Sequence, residues 1–89
     1  MLKYAGRYSQ LQKIVENLGF EGEWKNAGVP MHPTFREKNG ALLNFWPTTG
    51  TINGQGRNHE VLTKNLRCYF EGNNFVVRKV KGKETFFPA

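Results

Sequence analysis

The stretch Asn39–Arg57, NGALLNFWPTTGTINGQGR, reads as a β-hairpin whose two faces differ in chemistry. Pro47-Thr48-Thr49-Gly50 supplies the turn: Pro presets one dihedral and Gly is free to take a positive φ. Pairing across that turn sets Trp46 opposite Thr51, Phe45 opposite Ile52, Asn44 opposite Asn53, Leu43 opposite Gly54 and Leu42 opposite Gln55. Side chains alternate faces along a strand. One face therefore collects Ala41, Leu43, Phe45 and Ile52, and the other Asn44, Trp46, Thr51, Asn53 and Gln55. An indole, three carboxamides and a hydroxyl on one sheet face can both stack on and hydrogen-bond to a polar partner. The plain alternative is a row of ordinary solvated strand residues.

Upstream, Tyr8, Leu11, Ile14, Val15 and Leu18 recur at three- and four-residue spacing, which predicts a helix from Arg7 that stops at Gly19. Phe20–Lys25, anchored by Trp24, predicts a first strand, and residues 26–30 a turn or loop. Pro30 and Pro33 exclude a helix between them. Thr34–Lys38 is either a second strand or the lead-in to the hairpin, and Met1–Gly6 a short strand or an arm. Downstream, Asn58 is a candidate N-cap for a second helix with an apolar stripe of Val61, Leu62, Leu66, Tyr69 and Phe70, ended by Gly72-Asn73-Asn74. A last strand over Phe75–Lys81 and a basic, aromatic tail follow. The expectation is one α+β domain over residues 1–89, with flexible ends at 1–6 and 84–89. A small antiparallel sheet of three to four strands carries two helices on one face, leaving its other face open.

Eighty-nine residues hold one core. Thirteen Lys and Arg against seven Glu and no Asp give a formal charge of +6, which favours phosphate-bearing partners. Seven Phe, three Tyr and two Trp exceed the needs of so small a core, so some rings are expected on the surface. Cys68, the lone cysteine, is expected to be a small buried hydrophobe, with no disulfide framework or cysteine metal cage. No membrane span and no leader pattern is visible, and a cytoplasmic location is expected.

Catalysis finds little support. His32 lies between two prolines, His59 begins a helix, and neither has a nucleophile or metal-ligand spacing with Cys68. Glu21 and Glu23, two apart on a strand, form either a carboxylate pair or a charged edge that discourages wrong pairing. Gly54-Gln55-Gly56-Arg57-Asn58 resembles a phosphate-holding turn into a helix but lacks a full fingerprint. The glycines equally let a strand end pack closely under the helix. Basic residues gather at Lys64 and Arg67 on the second helix and in the run Arg78, Lys79, Lys81, Lys83.

Gly40–Phe70, with its strand, glycine turn, strand ending in a small pair and basic-faced helix, is similar to half of a TATA-binding-protein-like domain. The N-terminal substrate-binding domain of type 3 ribonuclease H, a relative of that fold, has a Gly-turn-strand-Gln-Gly-Lys-helix pattern that Gly50–Arg57 resembles. The resemblance implies a sheet face set against a duplex minor groove, with Asn44, Thr51 and Asn53 as polar readers and Trp46 as the ring. It covers about a third of the chain and supplies one such half, so a long saddle needs a homodimer.

The function expected is a small, non-enzymatic module that binds duplex or hybrid nucleic acid through the open face, without cofactor or metal. Asn44, Trp46, Thr51, Asn53 and Gln55 meet bases and sugars, while Arg57, Lys64, Arg67, Lys79 and Lys81 meet phosphates. Two alternatives stand beside it. One is a phage or bacterial regulator that inhibits a nucleic-acid enzyme or defence system through a protein interface centred on Trp46. The other is a binder that sequesters a nucleotide between Trp46 and Arg57.

Overall fold

The computed structural model describes residues 2–27 and 32–88. Along the chain it sets β1 (Leu2–Lys3), α1 (Tyr8–Asn17), β2 (Gly22–Ala27), β3 (His32–Glu37), β4 (Ala41–Trp46), β5 (Thr51–Gly56), α2 (His59–Gly72), β6 (Val76–Val80) and β7 (Lys83–Phe87). The fold is α+β. A five-stranded antiparallel sheet in the order β1-β5-β4-β3-β2 is accompanied by the two-stranded β6–β7. The loop expected at residues 26–30 lies largely outside the described residues.

The β4–β5 hairpin has the register expected of it, from Trp46↔Thr51 to Leu42↔Gln55. Its turn closes through the Gly50 N–H, which donates to the Trp46 carbonyl at 2.8 Å. Gly50 has a φ of +74°, and a Cβ there would stand 2.6 Å from the Tyr4 carbonyl oxygen. The position therefore needs glycine for its backbone and for the close approach of the N-terminal strand. Tyr4 N–H returns a hydrogen bond to Gly50 O at 2.8 Å.

Ala41, Leu43, Phe45 and Ile52 are fully buried beneath the two helices. Leu11, Ile14 and Val15 of α1 and Leu62, Leu66 and Phe70 of α2 close that face. Burying each large side chain of this kind contributes about 1.5–3 kcal/mol. Tyr8 of α1 meets Trp24 edge-on at 5.3 Å and Phe45 at 6.4 Å, which fixes α1 over β2 and β4. Under α2, a Cβ on Gly54 would lie 2.9 Å from the Thr63 methyl, so that glycine lets β5 and the helix approach.

The chain has more strands than the three or four expected, because both termini enter β-structure. Leu2–Lys3 adds an edge to β5, and Tyr4 makes a parallel bridge to Phe86. Lys83–Phe87 form β7 where a tail was expected. Lys81 and Gly82 make a two-residue turn with φ of +52° and +79°, which folds β7 back onto β6. Lys81 therefore leaves the strand, and it does not share a face with Lys79.

Cys68 is exposed, as is Val61 at 54%. The inward stripe runs Leu62, Leu66, Phe70 at four-residue steps, and both residues fall off it. Ten of the twelve rings belong to the core or pack against it. Tyr4, Phe35, Phe45, Phe70 and Phe86 form the core, with Tyr8, Phe20, Trp24, Tyr69 and Phe75 packed against them. Trp46 and Phe87 alone stand outside this cluster.

Candidate nucleic-acid interface

Strand register assembles the helix-free face of the large sheet into three rows. Lys3, Thr51 and Trp46 are cross-strand neighbours, and His32 of β3 stacks on the Trp46 indole at 4.9 Å and 11°. The second row runs Asn53, Asn44, Thr34, Lys25, and the third Gln55, Leu42, Arg36, Glu23. Neighbouring strands lie about 4.8 Å apart, so side chains of adjacent strands in a row are in contact range.

Hydrogen bonds hold these rows in place. Thr34 Oγ1 donates to Asn44 Oδ1 at 2.8 Å, and Asn44 Nδ2 donates to Gln55 Oε1 at 3.0 Å. Asn44 is only 7% exposed, so it orders Thr34 and Gln55 rather than presenting its own amide. Lys3 Nζ donates to Thr51 Oγ1 at 2.7 Å, and the Thr49 and Thr51 hydroxyls lie 2.9 Å apart. Asn53 is half-buried and Gln55 exposed. The face thus offers a braced indole, two carboxamides, a hydroxyl chain and the ammonium of Lys3.

The ten residues expected at the interface divide between two sides of the sheet. Asn44, Trp46, Thr51, Asn53 and Gln55 gather on the open face. Arg57 is exposed in the turn after β5, with its Cβ 3.5 Å from where a Cβ on Gly40 would stand. Lys64, Arg67 and Lys79 lie elsewhere, along hollows on the α2 side, and Lys81 sits at the tip of the β6–β7 hairpin. Arg67 is tethered: its guanidinium is 3.4 Å from Glu84 and 3.9 Å from Glu71, and lies over the Phe86 ring at 5.7 Å.

Thr34 and Arg36 of the face fall in the stretch read as a strand or lead-in, whereas Pro30 and Pro33 on either side of His32 obscured its place in β3. Lys3 had no signal in the sequence, because a two-residue strand has no period to read.

Other candidate chemistry is dispersed. Glu21 precedes β2 and faces Lys38 at 3.8 Å, while Glu23 lies opposite Arg36 in the sheet, so the two do not form a carboxylate pair. His59 Nε2 is 3.2 Å from Glu60 Oε1, and its Nδ1 is buried without a hydrogen-bond partner among the described residues. Asn58, the first residue of the α2 entry, takes a left-handed φ of +60° and makes no side-chain cap hydrogen bond. Among the described residues no cluster of His, Cys, Asp or Glu could hold a metal ion, and no helix is long and apolar enough to cross a membrane. Burial, then the neighbouring Tyr69, pushes the Tyr4 hydroxyl from 10.0 up to about 12, and burial also raises Tyr8.

No protein-family model matches this chain, and no curated protein and no solved structure was found to match it.

Proposed function

We propose that this chain is a nucleic-acid-binding module that receives duplex or hybrid nucleic acid on the open face of its five-stranded sheet. The observation that carries this reading is Trp46. Nearly every other ring is drawn into the core, whereas this indole stands on the helix-free face, backed by His32 and beside Lys3 and Thr51. In this reading Trp46 stacks on or wedges against a base, and stacking contributes about 1–3 kcal/mol per base. Thr51, Asn53 and Gln55 hydrogen-bond base edges and sugars, with Asn44 holding Gln55 in place. Lys3, Lys25, Arg36 and Arg57 meet phosphates along the rim. The polar groups suit a minor groove, whose pattern distinguishes A·T from G·C and little else. The likeness of Gly40–Phe70 to half of a TATA-binding-protein-like domain agrees with a sheet used as the docking surface. On that analogy a second copy completes the saddle. The protein acts by binding, without catalysis, inside the cell.

Fluorescence anisotropy with labelled single-stranded DNA, duplex DNA, duplex RNA and a hybrid, each at low and physiological salt, tests the reading. Binding to a duplex or hybrid that survives physiological salt and falls at least tenfold in Trp46→Ala and Asn53→Ala is expected. Unchanged affinity in both variants would refute the proposed face.

One observation favours a second reading, a regulator that docks on a protein. Val76, Val77 and Val80 are 44, 47 and 43% exposed on β6, an outer strand of the small sheet. A partner held there would bind with little salt dependence, unlike a polyphosphate.

A further inference from the structure

Four cations that lie off the open face, Lys64, Arg67, Lys79 and Lys83, line two adjoining hollows at its border. Where β1 parts from the β6–β7 hairpin, a cavity of about 510 Å³ is lined by Lys3, Arg67, Lys79 and Lys83, with Glu84 its only carboxylate. A second hollow of about 320 Å³, lined by Lys64 and His59 among others, shares Leu2 and Arg67 with the first. The two adjoin at Leu2 and Arg67, and the second reaches from Asn53 at the sheet margin to the side where Gly54 meets α2; together they are called the groove. Arg67 lies at its centre, and Glu84 and the Phe86 ring hold its guanidinium in a defined orientation. A planar guanidinium so placed, flanked by ammonium groups on flexible stems, suits tetrahedral phosphate oxygens.

We infer that this groove is a phosphate-chain site, occupied by the backbone of a nucleic-acid single strand that continues past the sheet edge. The inference rests on the proposed nucleic-acid function for the identity of the strand, while the phosphate chemistry stands on the groove itself. A rigid duplex lying on the open face meets the groove only at its border, where Lys3 and Asn53 belong to both, and cannot follow it to the α2 side. A flexible strand can, with Lys3 at the margin between them. The preferred substrate is then a duplex or hybrid with a single-stranded overhang, rather than a blunt one.

The test follows amide and Arg67 Nε–Hε signals in ¹H–¹⁵N spectra during titration with tripolyphosphate, a single-stranded oligonucleotide and a blunt duplex. Tripolyphosphate and the single strand should shift Arg67, Gly82 and Lys83, and the blunt duplex should leave them in place. Lys79→Glu/Lys83→Glu should weaken the single strand at least tenfold and lower its log–log salt slope by about 1.4. Blunt-duplex binding should be unchanged. Lys13→Glu/Lys38→Glu, an equal change of charge on other exposed positions, should have little effect. If the first pair fails to fold, Lys79→Gln/Lys83→Gln replaces it. Unshifted groove signals with both tripolyphosphate and the single strand, or equal losses in the two charge-reversed pairs, would overturn the inference. The two proposals fail separately. Loss of the open-face reading shows as nucleic-acid affinity indifferent to Trp46→Ala, and loss of the groove as an indifferent Lys79/Lys83 pair.

Discussion

Tyr4 shows how one residue ties the chain's beginning to its end. Its ring is fully buried, stacked on Phe70 at 5.4 Å and 3°, and its one hydroxyl proton is shared between two acceptors, Gln10 Oε1 at 2.9 Å and the Arg7 carbonyl at 3.0 Å. That environment favours the neutral phenol and raises its ionisation to about 12. Because the folded value exceeds the unfolded one, the stabilisation is fully present below pH 10. It is lost as pH rises from 10 towards 12. Urea unfolding at pH 8 and pH 11 should therefore show a steeper alkaline loss in the wild type than in Tyr4→Phe. At pH 8 the variant should be less stable by about 1 kcal/mol from the lost hydrogen bonding. Equal alkaline losses in the two proteins would place the titration elsewhere. Nothing in Met1–Gly6 announces this role, since Tyr4 becomes a core residue only when β7 and α2 close over it.

At the scale of elements, the contact between β5 and α2 depends on Gly54. Alanine there would bring its Cβ within 2.9 Å of the Thr63 methyl and 3.2 Å of the His59 Cβ. Gly54→Ala should cost about 1–3 kcal/mol in equilibrium unfolding. Thr63→Ser, which removes the methyl and keeps the hydroxyl, should recover part of that loss in the double variant. Strict additivity of the two changes would mean that helix and strand do not press together at this point. The β4–β5 hairpin was legible because its strands alternate cleanly and its turn carries both Pro47 and Gly50. The β6–β7 hairpin was not. Its turn puts Lys81 at a positive φ, where asparagine or aspartate is the usual sign, and its strands carry enough lysine to read as a solvated run. Cys68 was misplaced for a similar reason: adjacency to Tyr69 and Phe70 suggested burial, whereas the four-residue step from Leu62 to Leu66 to Phe70 turns it outward.

Over the whole molecule, the charge of +6 is divided by the sheet. The face that carries Trp46, Asn53 and Gln55 holds Lys3, Lys25 and Arg36, and the densest cationic groove lies on the other side, beside α2. Sequence alone located the carboxamides and the indole together because hairpin pairing is local. It could not tell that Lys64 and Arg67 meet only Asn53 of this set, in a hollow at the sheet margin, and that Lys79 lies beyond it, since that placement arises from long-range packing of α2 and β6–β7 against the N-terminal strand. Binding of an overhang substrate should accordingly depend more steeply on salt than binding of a blunt duplex, because more phosphates are neutralised. Affinities measured at 50 and 200 mM salt compare the two slopes, and equal slopes would mean that one surface serves both. The most direct test of the open face uses Trp24→Phe, which leaves Trp46 as the only indole while keeping a ring against Tyr8 and Phe35. Titrated with duplex or hybrid at physiological salt, its emission should be strongly quenched in step with binding followed by anisotropy. Emission that stays constant while anisotropy saturates would contradict stacking on Trp46 and the open face as the site.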